Sequence, residues 1–130
     1  MTSGASLGLD HVQVAAPADC EAAARAFYGE LLGLAELEKP AALAGRGGVW
    51  FALAGGAALH VGVAASGFAA ATKAHPALRA TDEGALRALA DALTRAGAPV
   101  IWSHPPEPLP GVTARFFTDD PWGNRLELLC

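Results

Sequence analysis

The same order of secondary-structure signals occurs twice along this chain, and that repeat restricts its fold more than any other feature. In the first half, Leu7-Gly-Leu-Asp-His-Val-Gln-Val14 alternates in polarity. Alternation predicts a strand with Leu9, His11 and Gln13 on one face and Asp10, Val12 and Val14 on the other. Pro17 and a capping Asp19 then precede a helix. Its Cys20, Ala24, Phe27 and Leu31 are spaced by 4, 3 and 4 and form one apolar stripe, which Gly33 ends. Gly47-Gly48 and Gly55-Gly56 read as turns bounding a hairpin of strands, 49–53 and 57–63. The second half begins with a short strand at 75–80. A helix capped by Thr81 or Asp82 follows, with Leu86, Leu89, Ala90 and Leu93 on one face and a stop at Gly97. Strands at 100–102, 113–118 and 125–129 complete it, with a proline-dense loop from Pro105 to Pro110 that also follows His104. His75 follows His11 by 64 positions, Gly97 follows Gly33 by 64, and Glu127 follows His60 by 67. A shared offset in three different elements argues for internal duplication. The expected fold is α+β: two βαβββ modules, 7–64 and 72–130, in a single domain spanning 1–130, each helix covering one face of its sheet.

Composition removes several competing classes. Alanine contributes 31 of the 130 residues, hydrophobic residues 52% and charged residues 17%, and mean hydropathy is +0.30. A spanning helix nevertheless needs about 18–20 unbroken apolar residues, and the longest weakly polar region, Val49 to Ala71, holds four glycines, a histidine and a serine. No positively charged segment leads into an apolar run near the start, so no signal peptide is expected. Nine basic residues against thirteen acidic ones leave no basic stripe for a phosphate backbone, so neither nucleic acid nor membrane is an expected partner. Cys20 falls in a helix, Cys130 is the last residue, and there is no CxxC. Both read as inert small apolar residues in a reducing cytoplasm.

Strand alternation gathers the few polar residues. If Val12, Val14, Leu126 and Leu128 face the helices, the opposite faces collect His11 with Gln13, His60, His75 with Arg79, Arg125 with Glu127, and Arg115 with Thr113 and Phe117. Neutral imidazole and carboxylate are donors for zinc, nickel, iron(II), manganese or cobalt, and an open site of this kind is a Lewis acid toward a bound oxygen. Taken singly, each histidine also reads as a hydrogen-bonded strand residue, and Glu127 as a partner of Arg125. Arg115 reads equally as a bidentate holder of an anionic substrate group or as half of a salt bridge. Trp50 or Phe51 faces either the cavity or the core. Asp119, Asp120 and Asn124 read as turn chemistry, Trp102 and Trp122 as packing, and the proline loop as a rim.

Four segments carry a resemblance over nearly the whole chain, from Leu7 to Leu129. They are Leu9-Asp-His-Val-Gln-Val14, Arg25-Ala-Phe-Tyr-Gly-Glu-Leu-Leu-Gly-Leu34, Lys73-Ala-His-Pro-Ala-Leu78 and, above all, Phe116-Phe-Thr-Asp-Asp-Pro-Trp-Gly-Asn-Arg-Leu-Glu-Leu128. The chain resembles the vicinal oxygen chelate superfamily of glyoxalase I, bleomycin-resistance and fosfomycin-resistance proteins, methylmalonyl-CoA epimerase and extradiol dioxygenases. That resemblance implies a U-shaped, partly open mixed β-sheet around a cleft with the helices outside. It implies a divalent metal held by His11, His75 and Glu127, with His60 at the fourth position, where glyoxalase I usually has glutamate. A carboxylate base at that position serves proton transfer in glyoxalase I, so His60 and Glu127 become the candidate catalytic residues here. Gln13, Trp50, Arg115 and Phe117 become the candidate substrate contacts. Extradiol cleavage usually needs a tyrosine, and the only one, Tyr28, falls in the first helix. The implied function is a glyoxalase-like, metal-dependent lyase or isomerase acting on a small substrate with vicinal oxygens. The alternative is a metal-free binding protein of the bleomycin-resistance type that sequesters a drug or metabolite. A homodimer is expected, because open sheet edges favour pairing.

Overall fold

The two helices form where the apolar spacing places them, but they start differently. The computed structural model describes residues 6–64, 66–103 and 109–130; His104 and Pro105 to Pro108 of the proline loop lie outside them. Helix α2 (Glu83–Arg95) is capped by Asp82, whose Oδ1 accepts from the Ala85 backbone N–H at 2.8 Å, and it buries Leu86, Ala90 and Leu93. Helix α1 (Glu21–Ala24) is not capped by Asp19. That residue adopts a left-handed φ of 61°, and Cys20 occupies the cap position without a side-chain hydrogen bond. After one turn α1 widens into π-helical turns over Arg25–Leu31, with Leu32 N–H bonding Phe27 C=O at 3.0 Å. Within the wider turn the adjacent Phe27 and Tyr28 are both buried.

The strands build two four-stranded mixed sheets. In the first, β1 (His11–Ala16) runs parallel to β4 (Ala58–Val63). Strand β3 (Val49–Ala52) pairs antiparallel with β4, and the two-residue β2 (Glu36–Leu37) pairs with β3. In the second, β5 (Ala77–Arg79) runs parallel to β8 (Arg125–Leu129). Strand β7 (Arg115–Asp119) pairs antiparallel with β8, and β6 (Ile101–Trp102) with β7. The two orders, β1-β4-β3-β2 and β5-β8-β7-β6, are the same pattern repeated, and neither sheet closes. Strand β1 starts later than the alternation predicts, because its ladder begins where Ala58 stands opposite His11; Leu7 and Leu9 stay exposed. Leu59, Val61, Phe116, Leu126 and Leu128 are buried with Val14 and the helices in one core.

Polar bonds cross between the repeats at one turn. Asp120, in the turn before β8, accepts from the Tyr28 hydroxyl at 2.7 Å, from the Trp122 and Asn124 backbone N–H groups at 3.0 and 2.8 Å, and from Asn124 Nδ2 at 2.9 Å. Asn124 Nδ2 also donates to the Ala15 carbonyl on β1 at 2.7 Å, while its Oδ1 accepts from Ala71 N–H at 2.9 Å. The Asp-Pro-x-Gly-Asn segment is therefore more than a turn. It ties β1, α1, the connector and β8 together, and the positive φ falls on Gly123.

Burial, then the neighbouring charge of Asp120, pushes the Tyr28 hydroxyl far above its ordinary value of 10.0. The sign follows: folded Tyr28 keeps its proton where the unfolded chain releases it, so stability falls as the pH rises above about 10. Tyr28 is the sole tyrosine, which makes the test direct. Tyrosinate absorbance is expected only together with unfolding; a tyrosinate transition near pH 10 in folded protein would contradict the burial. A Tyr28→Phe variant should lack this part of the alkaline instability.

Candidate functional site

On the first sheet the face away from the helices carries His11 and Gln13 from β1, His60 from β4 and Trp50 from β3. His60 lies between two rings. Trp50 stacks on one side at 4.0 Å with planes 3° apart, and His11 on the other at 4.2 Å and 14°. Both faces of the His60 imidazole are thus covered, and burial, followed by the nearby His11, lowers its pKa from 6.5. His11 is more open, with 44% of its side chain exposed and Nδ1 2.9 Å from Asp10 Oδ2. Gln13 lies across Gly62: a Cβ there would fall 2.8 Å from the Gln13 amide.

The second sheet carries an ionic group on its corresponding face. His75 Nε2 lies 3.1 Å from Glu127 Oε1, and Arg115 lies 3.5 Å from Glu127 Oε2. Glu127 and Arg115 are almost fully buried, with 8% and 9% of their side chains exposed. The carboxylate therefore has a partner on each oxygen, and for Arg115 the geometry includes the salt bridge. His75 Nδ1 sits 2.8 Å from the Lys73 carbonyl. Phe117 packs beside this group, edge-on to His75 at 5.7 Å, with the Arg115 Cζ at 5.4 Å and the Arg125 Cζ at 4.1 Å from its ring centre.

Strand register relates the two groups. Gln13 is the partner of His60, and His11 stands two residues before Gln13; Ala77 is the partner of Glu127, and His75 stands two residues before Ala77. Trp50 is the partner of His60 on β3, and Phe117 the partner of Glu127 on β7. His11, His60 and Trp50 therefore correspond to His75, Glu127 and Phe117. The chain brings these residues together as two clusters, one per sheet. Among the described residues no three His, Cys, Asp or Glu side chains are grouped to hold a metal ion. Two hollows of about 390 and 400 Å3 lie elsewhere, one beside β2 and β3, the other between α1 and the end of α2. Trp50 lines the first of them, but His11, His60, His75 and Glu127 line neither.

The repeat of fold and polar register is matched by comparison. The sequence model of the glyoxalase/bleomycin resistance protein/dioxygenase superfamily matches residues 8–128. The chain belongs to this superfamily. A solved glyoxalase family protein from Bacillus anthracis is 41% identical, with 98% of each chain covered and a TM-score of 0.83. Lactoylglutathione lyase from Agrobacterium tumefaciens shares the fold at 23% identity, with 98% of this chain and 95% of that chain covered and a TM-score of 0.64. A fosfomycin resistance protein from Listeria monocytogenes does so at 15%, with 94% and 89% covered and a TM-score of 0.70. No match was found among curated protein sequences.

In this glyoxalase-superfamily chain, sequence reasoning placed Tyr28 away from the site and Asp120 and Asn124 in a turn. It missed that they bond one another across the repeats. The signal was a lone tyrosine beside the apolar stripe of α1, and its burial with a hydroxyl demanded a partner. Both cysteines are free. Cys20 is buried, donates to Glu21 Oε2 at 3.2 Å, and burial with that bond raises its thiol to about 11, which keeps it protonated and inert. No helix of the described residues is long and apolar enough to cross a membrane.

Proposed function

We propose that this chain is a glyoxalase-type enzyme of the lyase or isomerase kind, acting on a small substrate with two adjacent oxygens and served by a divalent metal: zinc, nickel, iron, manganese or cobalt. The reading is supported by the matched register that gives each sheet one histidine at or two residues before its first strand and one last-strand donor, His11 with His60 and His75 with Glu127. These donor types fit such an ion. When bound, it would polarise a substrate oxygen. His11, His60, His75 and Glu127 would hold it, with Glu127 and His60 the groups placed to hold or move a proton. Gln13, Trp50, Arg115 and Phe117 would contact substrate.

Within one chain the donors stand as two pairs, and the rings of His11 and His60 are stacked 4.2 Å apart with planes 14° from parallel. One ion shared by all four requires one ring to leave the stack and the two pairs to face each other. We therefore propose a homodimer in which each site draws on both copies, in a cytoplasmic setting. A second reading is favoured by Glu127, whose two oxygens already have His75 and Arg115 as partners without an ion: a metal-free binding protein of the bleomycin-resistance type that sequesters a small molecule.

Elemental analysis of freshly purified protein, with thermal shifts on adding nickel, zinc or manganese, decides between them. The metal reading expects near-stoichiometric metal and a stabilisation of about 2.7 kcal/mol at a hundredfold excess over Kd, lost in Glu127→Ala and His75→Ala. Ligand affinity indifferent to chelator, with no metal and no thermal shift, replaces it with the second reading. Light scattering reports the dimer.

A further inference from the structure

The face that carries Glu127 holds three guanidiniums: Arg79, which donates to the Gly111 carbonyl at 3.1 Å, and Arg115 and Arg125, which stand in opposite situations. Arg115 is buried against Glu127. Arg125, two residues before Glu127 on the same face of β8, is half-buried and makes no side-chain hydrogen bond or ion pair with the described residues. Its Cζ lies 4.1 Å from the Phe117 ring centre. A guanidinium whose carbon lies this close over an aromatic ring is attracted to the ring through its charge, and its five N–H donors are not used up by that contact. Asp119 is its partner in register on β7, yet it is exposed and forms no ion pair with it. The charge of Glu127 is matched by Arg115, so the charge of Arg125 remains for an incoming group.

We propose that Arg125 is the anion-recognition residue of this face. It takes the carboxylate or phosphonate group of the ligand in a bidentate contact, with Phe117 as its positioning residue. The inference rests on the small-molecule reading above and is indifferent to whether a metal is present. A planar fork suits both oxyanion types. Arg115, whose side chain lies against Glu127, is less open to such a group.

Calorimetric titration of EDTA-treated full-length protein with benzoate, phenylphosphonate and neutral benzyl alcohol tests it. At least one of the two anions is expected to bind more tightly than the alcohol, and the one that does so identifies the oxyanion type. Arg125→Gln should weaken that anion at least tenfold and leave benzyl alcohol unchanged. Arg125→Lys keeps the charge without the fork and should fall between; Phe117→Leu should weaken the anion less than Arg125→Gln does. Thermal melts of each variant confirm that it is folded. Equal binding of the anion by wild type and Arg125→Gln, or no preference of wild type for either anion over the alcohol, overturns the proposal. Because EDTA-treated protein is used, metal content tests the metal reading separately.

Discussion

Gly48→Ala is expected to destabilise the protein by about 3–5 kcal/mol, enough to lower Tm by roughly 10–20 °C or to prevent folding at 37 °C. Gly48 has a φ of 83°, and a Cβ there would overlap the Val61 carbonyl oxygen. Two separate costs combine. A side chain in the left-handed region costs on the order of 1 kcal/mol or more. The clash cannot be relieved by a flexible side chain, because its partner is backbone held in the β3–β4 ladder, where Val49 pairs with Val61. Gly55 separates the two effects. Its φ is 82°, but nothing lies within 4 Å of its Cβ position, so Gly55→Ala should cost only about 1 kcal/mol. Urea denaturation of both variants measures the difference. Equal losses would show that the close approach of Gly48 to Val61 is absent. The functional consequence is local, since the same ladder seats Trp50 against His60.

Asp120→Ala should cost about 3–5 kcal/mol, because it leaves several buried donors without an acceptor at once. Asp120, Asn124 and Tyr28 are 5%, 2% and 0% exposed, so water does not readily replace the carboxylate. Tyr28→Phe removes one donor and one bond and should cost about 1 kcal/mol. The double variant should cost less than the sum of the singles, with a coupling of about 0.5–3 kcal/mol. Additive losses would mean that Tyr28 and Asp120 do not act together in solution. Since Asn124 also bonds Ala15 on β1, Asp120→Ala is expected to loosen the strand that carries His11 and Gln13 as well as the turn itself.

Much of the fold was legible because it is written in local patterns. The alternation around Val12 and Val14, the apolar spacing of Leu86, Ala90 and Leu93, and glycines at 33, 48 and 97 are each near-neighbour signals, and the duplication reinforced every one. The errors were also local. Asp19 looked like a cap but turned left-handed, and the Leu7–Leu9 segment alternated without a partner strand. Propensity allowed both elements, but hydrogen-bond partners decided their ends.

By itself, the sequence determined that the chain is a duplicated βαβββ protein of the glyoxalase superfamily, and that its polar residues fall at matched positions on or just before the first strands and on the last strands. Periodicity and spacing carry that information because side-chain direction along a strand or helix follows from backbone geometry alone. Only the tertiary structure decided which of those residues touch. It stacked His60 between Trp50 and His11, bound Glu127 to His75 and Arg115, left Arg125 over Phe117, and bonded Tyr28 to a turn 92 positions away. Contacts between side chains distant in sequence depend on sheet register and packing, which no single segment encodes.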